Sequence, residues 1–473
     1  MSLLQVKNPY SGIELANLTF ATEKDLNQAF SKGRTAFEKW RKSPSWRRSE
    51  LLNSVAKDLE NRREEFAKLI VQEAGKPITF ANVEVDRCLG VLRWAAAESQ
   101  RFAGELLRLD TAQNGRQGFG IHTRFPLGLI LGITPFNFPL NLVMHKIAPA
   151  IASGCSILIK PSPSTPLTTI KLVELFDKYE PGLVQFTLAD DALTEKLTRS
   201  SEVAMVSFTG SARVGKLIQQ QAYDKPVTLE LGGNAWVIVM DDIPESAYPA
   251  IAKKISGGAY GYAGQSCISV QNVCIASDRW SAFKKELTAA TNNTVFGDPD
   301  NVKVISGPVI NSVATQRIQK ALSQVAGKAE VITSSSKEGK ITAGEGNLIA
   351  PTLVIVPDQG FSKEAQSIQQ EEIFAPVMIA GKFEQLDKVI ETINSSHYGL
   401  QAGVFTQNLA TIERLYRELE VGGLVVNDVP TTRYDHQPYG GVKDSGHGRE
   451  GVRYAMEEMT YAKFLALSSE LPR

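Results

Sequence analysis

The chain has 473 residues, room for about three domains and for a buried core that needs no disulfide or metal staple. Its 51 basic and 51 acidic residues cancel, so no excess positive charge draws it to nucleic acid or to an anionic membrane. Apolar residues at 43% and charged residues at 22% describe an ordinary globular protein, and four cysteines without a CxxC pair make neither a disulfide framework nor a zinc site of that kind.

The opening MSLLQVKNPYSG has no apolar run of signal-peptide length, so a reducing, cytoplasmic location is expected. Leu26, Phe30, Phe37 and Trp40 recur at helical intervals, and Leu52, Val55, Leu59, Phe66 and Ile70 predict a second, highly charged helix. Val83 to Phe102 is a third, with Val85, Cys88, Val91, Leu92 and Ala95 on one side. The most apolar region, Leu127 to Val143, is broken by Pro135, Asn137 and Pro139 and cannot cross a bilayer as a regular helix.

From Gly128 to Gly233 short β-rich runs (GLILGI, CSILIK, LVQFTLA, VAMVSFT, PVTLELG) alternate with helical stretches at Leu140–Ser153, Leu167–Tyr179, Ala192–Ser200 and Ala212–Tyr223. Strand then helix, repeated with short connections, predicts an α/β fold: a doubly wound parallel sheet that binds a nucleotide. A second α/β region from Ala235 to about Val426 holds the strands AWVIVM, NVCIAS, TLVIV, PVMIAGKF, AGVFT and GGLVVN. Helices at Ser281–Asn293 and Ser312–Ala326 lie between them. Ala112–Arg124 and Tyr461–Leu467 alternate like exposed strands and are expected to pair with each other or with another subunit.

Several residues can do chemistry. Cys267, in GYAGQSCISV, sits on a loop entering a strand, where a thiolate can be offered to a cleft. Cys88, Cys155 and Cys274 lie on apolar faces or in strands and read as inert. Glu230 ends the strand TLELGGN; a carboxyl in so apolar a run has a raised pKa, suited to a general base near neutrality, unless it merely pairs with a basic neighbour. Asn137 is held between two prolines in TPFNFP, where a rigid amide can stabilise an oxyanion or simply make a turn. Lys160 ends the strand CSILIK, at the side of a parallel sheet where ligands bind, and Gly210 and Gly215 in SFTGSARVG allow a pyrophosphate to come close.

In this order and spacing these features resemble the aldehyde dehydrogenase superfamily, from about residue 6 to 467. The resemblance rests on TPFNFP, KPSPSTP, SFTGSARVGK, LELGGN, GQSC, the block Glu371-Glu-Ile-Phe-Ala-Pro-Val and PYGGVKDSGHGREG. It implies a Rossmann-like cofactor domain (residues 1–107 and 127–231), an α/β catalytic domain (232–450) and a small β oligomerisation element (108–126 and 451–473). It further implies that Cys267 attacks the aldehyde carbon, that Asn137 and the Cys267 N–H hold the oxyanion, and that Glu230 activates the water that hydrolyses the thioester. Glu450 would relay its proton. For the cofactor, Lys160, Ser162 and Pro163 would lie along the adenosine ribose, with Thr134, Pro135, Phe136, Gly210, Ser211, Gly215 and Leu231 along the rest of its path. Glu372 and Phe374 would meet the nicotinamide side.

Two positions depart from the family pattern. Pro163 stands where NAD-preferring members often carry Glu, so NAD, slightly favoured, and NADP both stay open; Ala375 replaces a usual Gly, with little effect expected. Around the substrate, Phe138, Tyr439, Arg87 and Arg433 are the candidates, the arginines clamping an anionic or hydroxylated tail. The alternative for the arginines is structural pairing with Asp435 and Glu84. His145 and His436 are read as structural. The wording of the loop before PYGG resembles the lactaldehyde, glycolaldehyde and phosphonoacetaldehyde branch. A homodimer or homotetramer without metal is implied. The competing readings are a CoA-acylating semialdehyde dehydrogenase, which tends to lack the LELGG glutamate, a non-catalytic scaffold, and a thiol hydrolase using Cys267 with His436.

Overall fold

Strand Leu129–Ile133 reads LILGI, and its side chains alternate between two cores, as the two-residue period of a strand requires. Ile130 joins Ile157, Ile159 and Met205 on one face, while Leu129, Leu131 and Ile133 join Leu158, Val206 and Phe208 on the other. The computed structural model describes residues 3–113, 117–338, 345–356 and 366–468; residues 1–2, 114–116, 339–344, 357–365 and 469–473 of the segments assigned above lie outside it. Val227–Glu230, Met205–Thr209, Leu129–Ile133, Ser156–Lys160 and Val184–Phe186 lie side by side and parallel, and Gly446–His447 adds an antiparallel edge. The chain therefore winds outward twice from Leu129–Ile133. The order reverses between that strand and Met205–Thr209, which opens a crevice at their carboxyl ends, a doubly wound arrangement.

Helix Asn141–Ser153 covers one face and is buried along its whole length. It stops at Gly154 (φ +97°), a left-handed position that a glycine fills without strain. Helix Ile78–Arg101 packs on it through Val85, Cys88, Val91 and Leu92. The single helix expected from Leu52 to Ile70 is two, Ser45–Asn61 and Arg63–Ala74, broken at Arg62 (φ −110°, ψ 19°). Leu59 and Phe66 are seven residues apart on both descriptions, so apolar spacing is blind to this break.

The second sheet runs Glu330–Thr333, Thr352–Ile355, Val377–Phe383, Asn272–Ala276, Trp236–Val239, Gln401–Phe405 and Gly423–Val426, parallel except at Glu330–Thr333. Val237, Val239, Val273 and Ile275 face one core, and Trp236, Ile238, Cys274 and Ala276 the other. A separate three-stranded sheet joins Thr460–Ser468, Gly118–Pro126 and Glu105–Arg108, so the two alternating segments do pair with each other, in register from Thr460 opposite Pro126 to Ser468 opposite Gly118. The first of them starts at Gly118 rather than Ala112.

Candidate active site

Cys267 follows an unusual turn. After helix Tyr248–Tyr260, three successive residues are left-handed: Tyr262 (φ 53°), Ala263 (φ 55°) and Gly264 (φ 64°). Two of them carry a side chain, at a cost of about 1–2 kcal/mol each, so the surroundings must hold them there. They do: Tyr262 donates its N–H to Ile305 O (3.0 Å) and its hydroxyl to Ala74 O (3.2 Å), and Gln265 Oε1 accepts from Ile310 N–H (2.9 Å). A Cβ on Gly264 would lie 2.0 Å from the Ala375 carbonyl oxygen. The result is a rigid loop that holds Cys267 half-buried, with Sγ 3.3 Å from the Tyr439 hydroxyl. Burial pushes this thiol up to about 12, against the pull of the Tyr439 hydrogen bond. The other three cysteines are fully buried.

Asn137 comes from the opposite wall, in the turn after strand Leu129–Ile133. Its Nδ2 donates to Gln265 O at 2.8 Å, which ties the amide to the cysteine loop and leaves the second N–H of that group for a ligand. Glu230 ends its strand buried, and neither carboxyl oxygen has a protein partner among the described residues. Burial, and then the negative charge of Glu450, push its pKa well up. Glu450 goes the other way. Burial alone would raise it, but Lys146 and Arg433 hold it ionised: Oε1 takes Lys146 Nζ at 3.0 Å and Oε2 takes Arg433 at 3.2 Å. Two carboxyls in one buried pocket thus have their pKa values driven apart, the pattern of an acid–base pair.

A cavity of about 430 Å³ lies between the turns that follow strands Leu129–Ile133, Met205–Thr209 and Val227–Glu230 and the loop that carries Cys267. Of the residues singled out in the sequence, Pro135, Phe136, Asn137, Phe138, Gly210, Ser211, Leu231, Cys267, Glu372, Phe374, Arg87, Arg433 and Tyr439 line it. Glu230, Glu450 and Thr134 are buried and off its lining, and Lys160, Ser162, Pro163 and Gly215 are not part of it either, Pro163 being exposed. Gly215 packs its helix onto Leu231, whose Cδ2 would be 2.5 Å from a Cβ there. Phe136 and Phe374 meet edge to face, 5.9 Å between centroids. Glu372, raised to about 7 by burial, accepts the Gly233 N–H.

Both arginines make ion pairs, as the structural alternative named above expects, but their partners differ from those it names. Arg87 binds Asp435 through two nitrogens (2.6 and 3.2 Å), Arg433 binds Glu450, and Glu84 pairs with Lys76. Asp435 also holds the buried His145, at 2.9 Å, and His436 stacks on Trp94. Lys146 and Arg317 escaped the sequence reading. Lys146, the one cation in the buried helix NLVMHKIAPAIAS, had a visible signal; Arg317, on the exposed side of its own helix beside Glu372, had none.

The aldehyde dehydrogenase family profile matches residues 2–465. The chain is 35% identical over 469 residues to a 3-sulfolactaldehyde dehydrogenase of Priestia aryabhattai, covering 98% of this chain and 95% of the relative. Among solved structures it is similar to aldehyde dehydrogenase 21 from Physcomitrella patens in complex with the reaction product succinate (TM-score 0.92, 34% identity, 99% and 95% covered). It is also similar to the NADP-dependent glyceraldehyde-3-phosphate dehydrogenase from Bacillus halodurans C-125 complexed with NADP (TM-score 0.92, 29% identity, 99% and 96% covered). A match across nearly the whole chain, over a doubly wound sheet and a cysteine-bearing cavity, leaves one conclusion: this chain belongs to the aldehyde dehydrogenase family.

Proposed function

We propose that the protein oxidises a short, polar, anionic or hydroxylated aldehyde to the carboxylic acid through an acylated Cys267. The observation that carries this reading is the facing of the Cys267 sulfur and the Asn137 amide across one cavity, the amide tied to the cysteine loop at Gln265. Cys267 Sγ releases its proton to solvent and forms a bond to the carbonyl carbon as the C=O π pair moves onto the oxygen, and the oxygen that gains the charge is held by the free Asn137 N–H. The hydride that leaves this carbon would be accepted by a nicotinamide dinucleotide when one is bound, and the adduct on Cys267 sulfur would thereby become a thioester. Glu230 then takes a proton from water as the water oxygen attacks the thioester carbon. The C–S bond breaks, the acid leaves and the thiol is restored. Glu450, kept anionic by Lys146 and Arg433, is the next group for the proton to pass.

The dinucleotide side is supported by room made for it. A Cβ on Gly232 would strike Glu372 Oε2 at 2.4 Å, so glycine keeps this wall open, and Gly210 and Ser211 lead into helix Ala212–Gln221, whose N-terminal N–H groups carry no side-chain cap. Phe136, Leu231, Glu372 and Phe374 would hold the nicotinamide half, and Lys160 with Ser162 the adenosine ribose. Pro163, exposed in the turn after Lys160, neither grips a 2′-hydroxyl nor repels a 2′-phosphate, so the reading admits NAD and NADP.

The anionic tail is assigned to Arg87 and Arg433. Arg87 is partly exposed to the cavity and anchored by Asp435, while Arg433 is buried over the Tyr439 ring at 3.6 Å. The relatives named for sulfolactaldehyde, succinate and glyceraldehyde 3-phosphate each act on or hold an anion, which favours this assignment. Glu230 weighs against a CoA-acylating enzyme. The position of His436, stacked on Trp94 and off the cavity wall, weighs against a cysteine–histidine hydrolase. A panel of short aldehydes, run with NAD and NADP and with or without CoA, tests the reading by kcat/KM. Arg87→Ala is expected to raise KM about tenfold or more for an anionic aldehyde and to leave propanal unchanged; equal effects on both remove Arg87 from substrate binding.

A further inference from the structure

A buried ion pair stands outside the chemistry above. Lys76 and Glu84 are both fully buried and pair with each other. Glu84 Oε1 also accepts the N–H groups of Leu140 (2.9 Å) and Asn141 (3.1 Å), which fixes the start of helix Asn141–Ser153, four residues past Asn137. Lys76 Nζ lies 3.6 Å from the centre of the Phe138 ring and 4.5 Å from that of Tyr262. The two rings themselves meet edge to face. Phe138 directly follows Asn137, and Tyr262 opens the left-handed turn that delivers Cys267. One ammonium therefore touches both segments whose spacing decides where the oxyanion falls.

A desolvated ammonium is drawn to the face of an aromatic ring. A buried ion pair seldom adds net stability over apolar residues of the same size, and fixing register is its best-attested use. Lys76 is not on the cavity wall, so it has no route to substrate contact. We propose that Lys76 is a positioning residue of the oxyanion site. Glu84 anchors its ammonium between Phe138 and Tyr262, and this sets the Asn137 amide against the Cys267 sulfur. The proposal rests on the roles given to those two residues above.

The test is a double-mutant cycle read in kcat. Lys76→Met/Glu84→Gln removes both charges, strands neither, and keeps an acceptor at position 84. It is expected to lower kcat about 10²-fold, the cost of a small misplacement of reacting groups, with KM for the dinucleotide within about twofold of wild type. In an Asn137→Ala background, where the amide is already gone, the same pair of changes is expected to cost under about threefold, because the two act as one unit. An equal loss in both backgrounds, or no loss in the wild-type background, overturns the proposal. If the double variant does not fold, Phe138→Leu, which removes the ring nearest the ammonium and leaves both the ion pair and the bonds of the Cys267 loop in place, carries the same cycle with the same outcomes. Wild-type protein that reduces no dinucleotide with any aldehyde overturns the oxidation reading first and the positioning role with it, so the two failures are told apart.

Discussion

Cys267 is a thiol at neutral pH, because burial holds its pKa at about 12. The sign follows. Below that value the sulfur is protonated, so its reactivity tracks a small thiolate fraction that grows roughly tenfold per pH unit. Alkylation of free enzyme by iodoacetamide is expected to climb between about pH 7 and pH 10 without a plateau; a plateau near neutrality would contradict the assignment. Tyr439→Phe removes the hydroxyl beside Sγ and is expected to slow both alkylation and acylation about tenfold, the worth of a hydrogen bond to a charged group. The sequence singled out Cys267, Glu230 and Asn137 as a thiol after small polar residues, an acid at the end of a strand and an amide between prolines, but each alone also read as an ordinary residue, and their roles came only with the family resemblance; the structure sets Cys267 and Asn137 on one cavity. The arginine pairings were not legible in the sequence. Arg87 with Asp435 and Arg433 with Glu450 join residues 348 and 17 positions apart, and a charge count cannot choose among partners that only folding brings together.

Elements carry the precision. The strand–helix alternation from Gly128 to Gly233 announced the first, doubly wound sheet, because buried parallel strands are apolar on both faces and their turns are short. The break at Arg62 and the left-handed run before Cys267 were not announced, since both depend on backbone angles that side-chain spacing does not encode. Gly264 tests the second. Gly264→Ala adds a Cβ 2.0 Å from the Ala375 carbonyl at a positive φ, and the loss expected is about 2 kcal/mol or more, with kcat falling as the cysteine loop shifts. Urea unfolding measures it, and a variant of wild-type stability and activity would show the turn to be looser than described.

At the scale of the molecule, the three-stranded sheet stands apart with Leu106, Leu107, Phe119, Phe464 and Leu465 exposed. So large an apolar surface on so small a sheet is what an assembly interface requires. We propose that it joins copies of this chain into a dimer or tetramer. Phe464→Lys/Leu465→Glu is expected to lower the mass seen in light scattering to that of a smaller species, and an unchanged mass would leave assembly to another surface. Every part of the account returns to the acylation of one sulfur. Its most direct measurement uses Glu230→Gln, mixed with a short anionic aldehyde and either oxidised dinucleotide and followed by stopped-flow absorbance and intact mass. The account predicts a burst of about one reduced dinucleotide per active site, then a stall, with the acyl group found on Cys267. Turnover without a burst, or an unmodified Cys267 in the stalled enzyme, would contradict it.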